Sequence, residues 1–71
     1  MITILVFRTN VKYLKEVKTL KNDLESIKGI TNWSFDLDDC DKVLRVTGIS
    51  VNAQEIISLL NHNDFTCLEL N

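Results

Sequence analysis

The spacing of apolar positions changes along this chain, and each change marks a boundary between elements. Residues 2–7, ITILVF, are a run of β-branched and aromatic types, which predicts a strand. Asn10 is placed to cap a helix behind it. Val11, Leu14, Val17, Leu20, Leu24 and Ile27 then recur every three or four positions, one apolar stripe on a helix of about four turns. Lys28 and Gly29 supply a cationic last turn and a C′ glycine. From Thr31 the period becomes two, with Trp33, Phe35 and Leu37 on one side and Asn32, Ser34 and Asp36 on the other. Residues 38–41 form a polar hairpin turn, and residues 42–47 return as a strand with Leu44 and Val46 inward. A second helix opens with Asn52 as N-cap and Glu55 at N3, with Val51 and Ile56 as a hydrophobic staple. Ile56, Leu59 and Leu60 make its buried side, Asn63 is its expected left-handed stop, and residues 64–70 form the last strand.

The order β-α-β-β-α-β, with right-handed crossovers and split pairing, predicts an α+β ferredoxin-like sandwich. Its four-stranded antiparallel sheet takes the order 4-1-3-2 and carries both helices on one face. Three segments then meet at one end of the sheet: residues 10–15, 38–41 and 61–65. The opposite, uncovered face is unusual. If Leu5 and Phe7 face the helices, Ile2, Ile4 and Val6 face away, and the last strand presents Thr66, Leu68 and Leu70 beside them. A sheet covered on one side should alternate apolar and polar residues. Here half of the uncovered face is apolar, which points to self-association or docking of a protein partner through Ile2, Ile4, Val6, Leu68 and Leu70.

Composition narrows the classes. Seventy-one residues make a single domain, residues 1–71, with 45% hydrophobic and 25% charged residues. A net charge of −2 leaves no basic footprint for nucleic acid. No stretch approaches the roughly 20 apolar residues that span a bilayer, so no membrane insertion is expected. The apolar start lacks a basic n-region, which leaves the cytoplasm as the expected location. Cys40 and Cys67 are too far apart for a zinc pattern and too few for a disulfide framework.

Several short stretches carry a resemblance. KGI stands at the end of the first helix, WSFDL on the second strand, LRVTG on the third and NDF after the second helix. In this order they resemble the heavy-metal-associated domains of soluble copper chaperones and of the tails of metal-pumping ATPases. That family shows M-x-C-x-x-C before the first helix, then V-x-V-D-L, V-x-V-x-G and a G-Y/F pair. FRTN before the loop and DKVL after the hairpin resemble a bacterial subgroup of small, free-standing members. Counted back from Gly29, the resemblance puts Val11 at the motif's Met, Tyr13 at its first cysteine and Glu16 at its second. Soft copper(I) is held in the family by two thiolates, and an oxygen pair cannot stand in for them. No metal is therefore expected at the family position.

The remaining candidates are few. Lys12 and Lys15 repel cations beside Tyr13 and are expected to pair with the hairpin aspartates, while Tyr13 lies against the segment before the last strand. The run DLDDCD fails as a calcium loop, having Asp41 where position 6 needs Gly and Thr47 where position 12 needs Glu. Cys40 sits among acidic neighbours, which does not suit an activated nucleophile, and Cys67 reads as a small core hydrophobe. His62 closes the second helix at the same end of the sheet. With Cys40 or Glu16 it is the alternative ligand set, for copper or zinc. No Ser-His-Asp, Cys-His or paired-carboxylate arrangement is present, so no enzyme is expected. The reading favoured is a non-enzymatic module in metal homeostasis that has lost its thiolates and acts by protein contact. The alternative is metal binding or transfer through a rearranged site at His62 and Cys40.

Overall fold

The computed structural model describes residues 1–70. Its elements are β1 (Ile2–Thr9), α1 (Leu14–Ser26), β2 (Ile30–Asp36), β3 (Val43–Ile49), α2 (Ala53–His62) and β4 (Cys67–Leu70). The sheet order is β2-β3-β1-β4, which is the expected 4-1-3-2 read from the other edge, and all its pairings are antiparallel. The chain is an α+β ferredoxin-like sandwich.

Period-two strands and period-3.6 helices meet in one core. Phe7, Leu44 and Val46 rise from the sheet, and Leu20, Leu24, Ile56 and Leu60 descend from the helices, each fully buried. Val11 joins them from the loop between β1 and α1. Trp33, Phe35 and Leu37 pack around the rim, with the two rings edge to face at 6.1 Å. At the end of the sheet remote from that loop, Gly29 and Gly48 let two backbones touch. Ile49 donates its amide to the Gly29 carbonyl at 2.8 Å, and a Cβ on Gly48 would strike that same carbonyl and the Val51 side chain.

The boundaries differ from expectation in ways that have local causes. α1 starts at Leu14, not near Val11, because Asn10 does not cap it: its Oδ1 accepts the Thr66 amide at 2.9 Å instead. Leu14 is consequently on the first turn and 72% exposed, outside the stripe that Val17, Leu20 and Leu24 continue. The helix ends at Ser26, with Ile27 as C-cap, so Lys28 lies beyond the last turn and the left-handed Gly29 (φ 99°) one position further out than C′. β3 runs on to Ile49, and β4 begins only at Cys67. After α2 the left-handed residue is Asp64 (φ 68°) and not Asn63. Phe65 donates to the Leu60 carbonyl at 2.9 Å and Asp64 to the Asn61 carbonyl at 3.1 Å, which is a Schellman motif with Phe65 tucked toward the core. Asn52 caps α2 as expected, accepting the Gln54 amide at 2.8 Å.

Candidate functional site

The loop between β1 and α1 is held from both sides before it reaches the helix. Thr9 is buried, donates its hydroxyl to the Lys42 carbonyl at 2.7 Å, and accepts the Val11 amide at 3.2 Å. The Thr9 amide donates to the Asp41 carbonyl at 3.1 Å. These bonds tie the loop to the β2–β3 hairpin, while the Asn10–Thr66 bond ties it to the segment entering β4. The loop is therefore joined by hydrogen bonds to the hairpin at Asp41 and Lys42 and to Thr66, one residue past the expected 61–65.

Beyond the buried Val11, the chain turns outward at Lys12 and Tyr13. Glu16 bends back to cap the helix. Its Oε1 accepts the Lys12 amide at 2.9 Å and the Tyr13 amide at 3.1 Å. Tyr13, at the N-cap position, contributes no side-chain bond of its own, so only the glutamate half of a capping box is made. The bond from the Lys12 amide is the main reason that the Glu16 carboxyl titrates below its ordinary value. The Tyr13 amide and the charges of Lys15 and Lys12 add to it, against a partial desolvation.

Tyr13 is 59% exposed and has the Lys15 ammonium 5.9 Å from its ring centroid, within cation–π range. It lines a groove of about 590 Å³ whose other wall is Phe35, Asp36, Leu37 and Asp38, the end of β2 and the start of the hairpin.

In the hairpin, ligand atoms of Asp39, Cys40 and Asp41 lie within 4.8 Å of one another. Two of the three are already engaged. Asp39 Oδ1 accepts the Asp41 amide at 2.8 Å, and Asp41 Oδ1 is 3.2 Å from Arg8 Nε. That ion pair is the only one among the described residues, so Lys12 and Lys15 do not pair with the hairpin aspartates. A second cation at the hairpin is Lys42, which donates to the Leu37 carbonyl at 2.7 Å. His62 lies elsewhere. Its Nδ1 is 3.3 Å from the Ser58 carbonyl, and it lines a groove of about 600 Å³ between the helices together with Asp23, Glu55 and Asn63. Among the described residues, no group of three metal-ligating side chains contains both His62 and Cys40. Cys67 is half-buried beside the core, and burial pushes its thiol up to about 11.

On the face away from the helices, Ile2 is 72% exposed, Ile4 68% and Leu68 59%, with Val6 and Leu70 half-buried. Ile49, 54% exposed, pairs with Ile2 and extends the patch onto β3. Sequence reasoning missed it by ending that strand at Thr47, although the alternation Arg45, Thr47, Ile49 was there to be continued. It also missed the bond between Thr9 and Lys42, which joins residues 33 apart. The capping role of Glu16 had a readable signal, a carboxylate three residues past a helix start, once the start is put at Tyr13.

Among the described residues, no helix is long and apolar enough to cross a membrane. No protein-family model matches the chain, and comparison with curated proteins finds no match. Two solved structures are similar to it. One is the copper(I)-loaded form of the first domain of the human copper chaperone for SOD1, with 17% identity and a TM-score of 0.78, over 97% of this chain and 93% of that one. The other is the apo form of the HMA domain of copper chaperone for superoxide dismutase, with 17% identity and a TM-score of 0.79, over 100% of this chain and 69% of that one. At that identity the likeness is one of fold: this chain folds as copper-chaperone domains do.

Proposed function

We propose that this protein is a non-enzymatic module on a heavy-metal-associated scaffold that no longer holds copper(I) between two thiolates, and that it works by protein contact in metal handling. The observation that carries the reading is the use to which Glu16 is put. Where the resemblance expects a second sulfur, this side chain points back at its own loop and caps two amides. Tyr13, at the place of the first, stands exposed with a lysine beside its ring. An acceptor committed to a helix start and a phenol flanked by cations make a poor nest for a soft monovalent ion. The fold likeness to two copper-chaperone domains supports the metal-handling part of the proposal.

The test is a titration of the reduced protein with copper(I) in competition with a chelator. The native chain is expected to lose the competition. The Tyr13→Cys, Glu16→Cys double variant, which restores sulfur at both motif positions, is expected to win it with one ion per chain. Tight one-to-one binding by the native protein overturns the proposal. If that binding disappears in Cys40→Ser or His62→Gln, it belongs to a rearranged site.

A further inference from the structure

The uncovered sheet face carries an apolar patch on β1 and β4 that reaches β3 at Ile49, with Thr47, Arg45 and Arg8 around it. Register sets Val6 opposite Leu70 on β4, and Ile2 opposite Ile49 on β3. Ile4 lies between them on the same side, and Leu68 lies beside Leu70. We propose that this face is the interface of a homodimer in which two copies stack sheet on sheet, giving four layers in the order helix, sheet, sheet, helix. This rests on the protein-contact reading above and names its partner.

Two observations select a second copy. The first is charge. A two-fold contact sets a patch against itself, so a patch of one sign would repel its own copy. Here the centre is aliphatic, and the charged members around it are Arg8 on β1, Arg45 on β3 and Asp36 on β2; Arg8 is paired with Asp41, which leaves Arg45 and Asp36, one of each sign. Neither has an ion-pair partner among the described residues. The same face suits neither an acidic partner nor an anionic membrane surface, since Arg8, its other cation, is already paired with Asp41.

The second observation is area. Ile2, Ile4, Ile49 and Leu68 are 72, 68, 54 and 59% exposed. At about 30 Å² of apolar surface per methylene-sized group, these four with the half-buried Val6 and Leu70 present roughly 400 Å² per copy. Two copies then remove about 800 Å² of apolar surface, and at the usual apolar share of about 56–65% the whole interface is about 1,200–1,400 Å². That is the lower end of specific interfaces, the range of weak or transient association. Aligned face-to-face packing about 10 Å apart is the ordinary way for two such sheets to meet.

Sedimentation of the purified chain from a few micromolar to about 1 millimolar decides the matter. The expected result is a monomer giving way to a dimer, with no larger species. Ile4→Lys and Leu68→Lys, each made at an exposed site and checked for retained circular dichroism, are expected to weaken the dimer at least about 100-fold. Leu14→Lys, at an equally exposed site on α1, is expected to leave it unchanged. A monomer throughout overturns the proposal. So does a dimer that both face variants leave intact, or open-ended growth, which would mean pairing along the short β4 edge. These readouts need no metal, so the dimer can fail while the copper titration upholds the thiolate reading, and the reverse.

Discussion

Thr9 shows how much of the site is settled by one side chain. It is buried, it satisfies an amide from its own loop, and it satisfies a carbonyl from the far side of the hairpin. Thr9→Val keeps the shape and removes the hydroxyl, leaving both groups without a partner away from water. The expected loss is about 1–3 kcal/mol, out of a total of about 4–10 kcal/mol for a domain of this size. In urea the midpoint should fall with an unchanged slope, and a changed slope would mean that the loop, not the bond, had rearranged. Glu16 makes a second residue-scale case, with pH as its handle. Its carboxyl titrates lower in the folded chain than in the unfolded one. Above the unfolded value its contribution to stability is fully present. As pH falls through the lowered folded value, the unfolded chain binds the proton first and the contribution is lost. Glu16→Gln keeps an acceptor at Oε1 but cannot titrate. The drop in urea midpoint between pH 6 and pH 3 should therefore be smaller in the variant, and an equal drop would remove Glu16 from the acid dependence.

At the scale of elements, what could be read in advance was what periodicity controls. The order of strands and helices, the inward Phe7, Leu44 and Val46, and the cap at Asn52 all follow from spacing or from a signal within four residues. The failures lie where a distant partner competes for a local group. Asn10 has the right character for a cap, but Thr66, 56 residues away, takes its oxygen, and α1 is left to start at Leu14. The mouth of the domain was legible as a place, because topology brings its three segments together, and not as a set of contacts. His62 belongs to the groove between the helices, which no spacing rule reveals. The end of α2 gives a prediction of its own. Asp64 holds a left-handed backbone at C′, where glycine is the common choice, while its amide and that of Phe65 close the helix. Asp64→Gly relieves the Cβ crowding and keeps both bonds. A gain of about 0.5–1 kcal/mol is expected, offset in part by the freer unfolded chain. For a domain of this size the melting temperature should rise by about 2–8 °C. A fall would show that the aspartate side chain contributes more than its backbone angle costs.

At the scale of the whole molecule, one sheet face is sealed by two helices and the other is left open. Small domains bury a modest fraction of their surface, so exposed aliphatics at Ile2, Ile4, Ile49 and Leu68 leave hydrophobic stabilisation unused in the isolated chain. Stacking a second copy recovers it, and mass action then ties folding to concentration. Any equilibrium in which the folded chain binds a partner and the unfolded chain does not raises the melting temperature as that partner becomes more abundant. Well above the dimer's dissociation constant, each tenfold rise in protein adds about 0.7 kcal/mol per chain, half of the usual 1.4 because two chains share one association. That corresponds to about 3–6 °C per tenfold step in a domain of this length. Scanning calorimetry across two decades of concentration should show this slope in the native chain and a flat line in Ile4→Lys. The flat line also guards against misreading aggregation: Ile4→Lys leaves the core of Phe7, Leu24 and Leu60 untouched, so it should melt near the native chain's dilute limit. A native melting temperature that does not move with concentration would leave the open face bare in solution, and the domain would then have to carry its stability on the helix-covered face alone.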